Sequence, residues 1–240
     1  MSTGNWKERT ELLVGKEGIA KLQDAHVLVA GLGGVGGYAA EQLCRAGIGK
    51  LTIVDSDSIQ SSNRNRQIIA LKSTIHQKKT EVFRQRLLDI NPEIQLIVKS
   101  DYLLDSSVDE ILTSRYDYVV DAIDTLTPKV QLLVKAKLKN LRIISSMGAG
   151  GKFDPSGVEI SDISESHHCR FASVVRRNLR KFNINEGIKV VFSPEMVSKS
   201  AVVEIKGEKN KRSVVGTISY MPPIFGCYCA SVVIRDILGI

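Results

Sequence analysis

The feature that most constrains the fold is a run of glycines set between a strand and a helix. His26-Val-Leu-Val-Ala30 is an unbroken apolar run of strand type, and Gly31-Leu-Gly-Gly-Val-Gly36 follows it directly. Tyr38 to Ala46 then reads as a helix, ended by Gly47. In that setting G-x-G-x-x-G allows a tight turn and lets backbone N–H groups approach phosphates at a helix N-terminus. Leu51-Thr-Ile-Val54 reads as a second strand, closed by Asp55, 19 residues beyond Gly36. A carboxylate at that point is placed to bond a ribose hydroxyl. Three features agreeing in register favour a nucleotide-binding sheet over a plain strand-helix turn.

The same grammar continues. Strand-like runs at Ile94–Val98, Tyr118–Ile123 and Arg142–Ser146 alternate with helical stretches at Thr80–Asp89, Val108–Thr113 and Pro128–Lys139. Alternation of this kind predicts an α/β fold, a doubly wound, mostly parallel sheet of Rossmann type. Strands covered on both faces explain the unbroken Val/Ile runs. After Gly151 the pattern changes. Val158–Ile163, Ile188–Phe192 and Ala201–Ile205 read as strands, Gly207–Ser213 as a charged turn, and Phe225–Leu238 as a final apolar helix. The chain therefore divides into a helical lead-in (1–24), a nucleotide-binding domain (25–151) and a smaller, partly β C-terminal extension (152–240). In the lead-in, Leu12, Leu13, Ile19 and Leu22 recur at roughly helical spacing and predict one apolar stripe.

Charge narrows the ligand. The 240 residues carry a net charge of +7, which favours polyanions. Between Ile163 and Ser213 there are 11 basic and 5 acidic residues, so nearly all the excess is local. Within it, Arg170 to Lys181 carries Arg176, Arg177, Arg180 and Lys181, which read either as a solvated helix face or, the favoured reading, as a mobile basic loop that meets RNA phosphates. A second cluster follows the ribose acid: Ser62-Asn63-Arg64-Asn65-Arg66-Gln67, then Lys79. A dehydrogenase using NAD(P) has little use for such cations there. A triphosphate does, because Arg and Lys bind its oxygens and stabilise charge moving through a transition state. Asp124, ending a later strand, is the candidate ligand for Mg²⁺.

As a set, these motifs resemble the ubiquitin-activating-enzyme superfamily of ThiF and MoeB type. They are G-x-G-G-x-G, Asp55 with Asp57, Asn63 to Gln67, Lys79, and Asp121 with Asp124. Arg9-Thr-Glu-Leu-Leu-Val-Gly15, Ile90-Asn-Pro92, Asp121 to Lys129 and Gly148-Ala-Gly-Gly-Lys-Phe-Asp-Pro155 are more similar to its tRNA threonylcarbamoyladenosine dehydratases. The resemblance implies ATP-dependent adenylation of a carboxylate. It implies that Gly33 and Gly34 line the nucleotide, and that Asp55 holds the ribose with Asp57 beside it. Asn63, Arg66 and Lys79 would grip the phosphates, Gln67 would support them, and Asp124 would bind Mg²⁺. Arg9 would reach the triphosphate of a neighbouring subunit in a homodimer. The acceptor implied is modified tRNA. The alternative is a sulfur-carrier or ubiquitin-like protein, with a cysteine-desulfurase-type partner. Carrier activators usually bring two C-x-x-C pairs for zinc, and this sequence has none.

The four cysteines are Cys44, Cys169, Cys227 and Cys229. Cys44 reads as core, and Cys227 and Cys229 are expected to be buried and inert in the last helix. His167-His168-Cys169 reads as a polar loop rather than a metal site. No apolar signal segment opens the sequence, so a cytoplasmic protein with reduced thiols is expected. The last apolar run looks broken by prolines and too short to span a bilayer, which predicts at most peripheral membrane contact.

Overall fold

The computed structural model describes residues 5–204 and 213–240. Its main strands are β1 (His26–Ala30), β2 (Lys50–Val54), β3 (Gln95–Lys99), β4 (Tyr118–Asp121), β5 (Ile143–Ser146), β6 (Glu159–Asp162) and β7 (Lys189–Phe192). They form one sheet in the order β3-β2-β1-β4-β5-β7-β6. All neighbours pair in parallel except β6, which runs antiparallel to β7. The doubly wound α/β reading is therefore the observed architecture.

Alternation along the strands feeds two cores. Val27 and Val29 of β1 enter one cluster, while Leu28 and Ala30 enter the other. The first face is covered by α1 (Glu8–Asp24), α2 (Gly36–Ala46), α3 (Lys79–Ile90) and α7 (Met221–Leu238). The second is covered by α4 (Ser106–Ile111), α5 (Leu126–Leu138) and α6 (Arg170–Leu179). Strand order reverses between β1 and β4, so ligands of such a sheet belong at the carboxyl ends of those strands.

Four expectations are corrected here. The lead-in stripe is divided, because Gly15 adopts φ 73° and ψ 173° inside α1 and turns its first half away. Ile19 and Leu22 join the core, whereas Leu12 and Leu13 are 83% and 85% exposed. The Arg170–Lys181 segment is a helix rather than a loop, anchored through Ala172, Val175 and Leu179. Arg176 turns inward and donates to the carbonyls of Ile163 and Ser166, while Arg170, Arg177, Arg180 and Lys181 stay exposed.

The prolines do not break the last apolar run. Pro222 lies in the first turn of α7, where a missing N–H costs no helical bond. The resulting 18-residue helix, of mean hydropathy 1.3, is long and apolar enough by composition to cross a membrane, and 44% of it is buried in this fold. Burying Phe225 alone contributes roughly 1.5–3 kcal/mol. Cys229 is buried as expected, but Cys227 is exposed. A separate antiparallel pair, β8 (Val202–Glu204) and β9 (Ser213–Val215), carries the last expected strand. Ile205 and the charged turn up to Arg212 lie outside the described residues.

Candidate active site

The site is built on the turn from β1 into α2. Gly31 has φ +89°, and a Cβ there would stand 2.8 Å from the Ala122 carbonyl at the end of β4. A Cβ on Gly36 would stand 1.8 Å from the Gly31 carbonyl, so no side chain fits. The turn is held from below by Asp55, whose Oδ2 accepts the Leu32 N–H at 2.7 Å. Its N-terminal helix end presents backbone N–H groups and the positive end of the α2 dipole.

Asp55 is not an isolated ribose acid. Its Oδ1 accepts the Asp57 N–H at 2.8 Å. The ammonium of Lys79, itself buried, lies 3.4 Å from Asp55 Oδ2 and 2.7 Å from Asp57 Oδ2. Burial pushes the Asp55 pKa up, against the pull of Lys79 and of both N–H donors. A carboxylate held charged at that desolvation cost gains from any further hydroxyl donor. Lys79 is thus held by two carboxylates, one of them the acid expected at the ribose.

The cationic cluster folds over the glycine turn. Asn63 caps the short turn Ser61–Asn63, its Oδ1 accepting the Gln60 N–H at 2.9 Å. Arg66 Nη1 donates to the Ser62 carbonyl at 3.0 Å and to Asn65 Oδ1 at 2.8 Å. Its Cγ stands 3.2 Å from where a Cβ on Gly34 would be. Burial pulls its pKa down, with the Asp124 carboxylate opposing. Arginine keeps its proton regardless, so Arg66 is a partly desolvated cation, which acts strongly on a nearby anion. Asp124 is exposed at the mouth.

Gln67 is buried next to the turn, its Nε2 3.8 Å from a Cβ position on Gly33. Its Oε1 is buried and accepts no hydrogen bond. Such an acceptor costs about 1–3 kcal/mol until a donor arrives. A turn closed to Cβ atoms and a desolvated guanidinium fit the phosphates of a nucleoside triphosphate, and the orphaned acceptor fits a donor on its nucleoside. Mg²⁺ takes one or two carboxylates plus the substrate's phosphates, and Asp124 meets that protein share.

Two further parts of the site rest on pairings that the local motifs did not reveal. Asp121 is not at the mouth; it is wholly buried with Lys129, 2.6 Å away, and also accepts from Ser145 and the Ile123 N–H. The pair fixes the backbone leading to Asp124. The second part comes from the C-terminal segment. Asn65 Nδ2 donates to the Thr217 carbonyl at 2.9 Å, and Pro222 Cβ closes on Gly34, 2.9 Å from its Cβ position. An Asp and a Lys eight residues apart in apolar elements were a weak signal for the first. Contacts across 152 residues left none for the second.

Arg9 is not brought to this site within one chain. Two residues before it, Lys7 abuts Gly47, at the far end of α2 from the glycine turn. The 11 residues of α2 make that separation about 16 Å.

Sheet and site together define a class: α/β proteins that hold nucleotide phosphates on a glycine-rich turn and face them with a buried-edge arginine. The ThiF family matches residues 8–240, and the chain belongs to that family. The tRNA threonylcarbamoyladenosine dehydratase of Bacillus subtilis (strain 168) is 36% identical over 237 residues, covering 96% of this chain and 93% of that protein. The enzyme of the same name from Escherichia coli (strain K12) is 34% identical over 200 residues, covering 79% of this chain and 75% of that protein. The crystal structure of E. coli tRNA N6-threonylcarbamoyladenosine dehydratase, TcdA, in complex with ATP superposes with a TM-score of 0.89 at 29% identity, covering 100% of this chain and 97% of that one.

Proposed function

We propose that this chain is an ATP-dependent tRNA threonylcarbamoyladenosine dehydratase. The observation that carries the reading is the desolvated Arg66 over the glycine turn, in a chain whose match to the ATP-bound relative runs end to end. The threonyl carboxylate of the modified adenosine attacks the α-phosphorus of ATP, and pyrophosphate leaves. The carbamoyl group then closes a ring on the activated carboxyl carbon, and AMP leaves. Overall, one water is removed from the nucleoside as ATP becomes AMP and pyrophosphate.

The chain's contribution is positioning and electrostatics. Asp55 orients the ribose, with Asp57 and Lys79 setting its charge. The turn at Gly33 and Gly34 lets backbone donors reach the phosphates, and Asn63 and Gln67 shape the wall. Arg66 opposes the charge that develops at the attacked phosphorus. Bound at Asp124, Mg²⁺ would neutralise phosphate charge. Cys227 is exposed, yet desolvation pushes its thiol pKa up and favours the less nucleophilic form, which supports direct ring closure. The exposed cations of α6 suit the tRNA backbone. Arg9, remote from its own site, suits a homodimer that lends it across. A cytoplasmic location fits four cysteines that are all free.

Pyrophosphate release from ATP and Mg²⁺ tests the reading. Separate reactions would contain tRNA bearing threonylcarbamoyladenosine, unmodified tRNA, or a sulfur-carrier protein ending in Gly-Gly. Release with the modified tRNA alone, with AMP and a nucleoside lighter by one water, is expected. Release with the carrier alone would overturn the acceptor and leave the adenylation site standing.

A further inference from the structure

Beside the nucleotide site two chain segments run together. The Gly151 N–H donates to the Gly216 carbonyl at 2.7 Å. Two residues beyond Gly151 and four beyond Gly216, the Tyr220 hydroxyl donates to the Phe153 carbonyl at 2.9 Å. This ledge is tied to the arginine loop through Asn65 and the Thr217 carbonyl, and to the glycine turn through Pro222. Its backbone is therefore fixed relative to the phosphates.

The ledge displays aromatic side chains outward. Phe153 is 63% exposed and Tyr220 is 41% exposed. A single exposed aromatic needs no explanation, but two on one hydrogen-bonded ledge at the rim of a site do. Core packing does not account for them, because both main clusters exclude them. The carboxylate beside Phe153, on Glu195, is engaged by the Phe153 and Asp154 N–H groups at 2.8 and 3.0 Å, and the cations stand on the neighbouring helix. Phe171 Cβ, at the start of α6, lies 3.5 Å from a Cβ position on Gly148, so the exposed Arg170 opens the α6 cation row next to this segment.

Exposed aromatic rings on a hydrogen-bonded ledge, with a row of arginines on the adjoining helix, match one ligand chemistry: an unstacked nucleobase on a polyanionic backbone. An enzyme that acts on a substituent of a base in RNA must draw that nucleotide out of its stack. We propose that Phe153 and Tyr220 form the platform on which the modified adenine stacks, holding its threonyl carboxylate toward the α-phosphate above the glycine turn, with α6 receiving the flanking phosphates. This rests on the function proposed above and adds the place where the nucleoside sits.

The test is steady-state AMP formation with tRNA bearing threonylcarbamoyladenosine, varying tRNA and ATP in turn. Phe153→Leu and Tyr220→Leu remove a ring and keep an apolar side chain. Each should raise KM for the tRNA about tenfold, the loss of one stacked base. KM for ATP and the melting-temperature rise with ATP should hold. Phe153→Trp and Tyr220→Phe restore a ring and should bring KM for the tRNA back toward wild type. Leucine variants with wild-type KM for the tRNA would overturn the proposal. So would an equal rise in both KM values, which would mean the ledge merely braces the ATP site. If the wild-type protein leaves the modified tRNA unconverted, the functional reading itself falls and the platform falls with it. Conversion by wild type together with insensitive variants removes the platform alone.

Discussion

Arg66 is the residue on which the chemistry turns. Its guanidinium is half withdrawn from water, held by the Ser62 carbonyl and Asn65, and opposed across the mouth by Asp124. Preorganisation of this kind means that no reorganisation is needed when charge develops. Arg66→Ala should lower kcat for AMP formation by about 10²–10³-fold. Its ATP-induced rise in melting temperature should persist, since the glycine turn and Asp55 remain. Arg66→Lys should recover little, because a point charge does not reproduce a planar fork of donors. Gly36→Ala acts at an earlier step. Its Cβ would meet the Gly31 carbonyl at 1.8 Å, so the turn must open. The variant should lose the thermal shift with ATP altogether, which a melting curve with and without nucleotide reads directly.

At the scale of elements, two buried polar groups tie strands to their neighbours. Lys129 of α5 reaches Asp121 at the end of β4, and both side chains are fully buried. Lys129→Met leaves an uncompensated carboxylate in the core and should cost about 3–5 kcal/mol. Adding Asp121→Leu should recover much of that loss, measured by urea unfolding of both variants. His26 opens β1 and bridges two neighbours. Its Nδ1 lies 2.9 Å from the Arg115 carbonyl and its Nε2 2.8 Å from Thr52 Oγ1 on β2. Burial lowers its pKa below the ordinary 6.5. The folded chain therefore resists protonation that the unfolded chain accepts. This stability is fully present above the ordinary value and is lost as pH falls from there toward the folded pKa. Melting temperature should drop below about pH 6.5 more steeply in wild type than in His26→Gln. A parallel drop in both would remove His26 as the cause.

For the whole molecule, the question is where Arg9 works. It stands at the far end of α2 from its own glycine turn, on the half of α1 that leaves Leu12 and Leu13 in solvent. If Arg9 serves a partner's triphosphate, Arg9→Ala and Arg66→Ala are each inactive alone. Mixed after dissociation, they should regain about a quarter of wild-type activity, because half the dimers are mixed and each of those holds one intact site. A mixture as inactive as its components would place Arg9 outside the catalytic assembly.

The sequence by itself determined the β1–turn–α2 unit, the strand alternation and the side-chain set Asp55, Asn63, Arg66, Gln67, Lys79 and Asp124. Those are local facts: strand runs, glycines without room for Cβ, and charges at fixed offsets from strand ends. Tertiary structure decided the rest. It assigned Lys79 to a carboxylate pair and turned Arg176 inward. It exposed Cys227, separated Leu12 and Leu13 from the core at the Gly15 bend, and set Asp121 against Lys129. It also laid residues 216–222 over the glycine turn and beside Phe153. The physical reason is sequence distance. A period of two or 3.6 says which face a side chain takes, but not which remote segment will meet it. The exposure of an arginine, thiol or aromatic ring depends on that meeting.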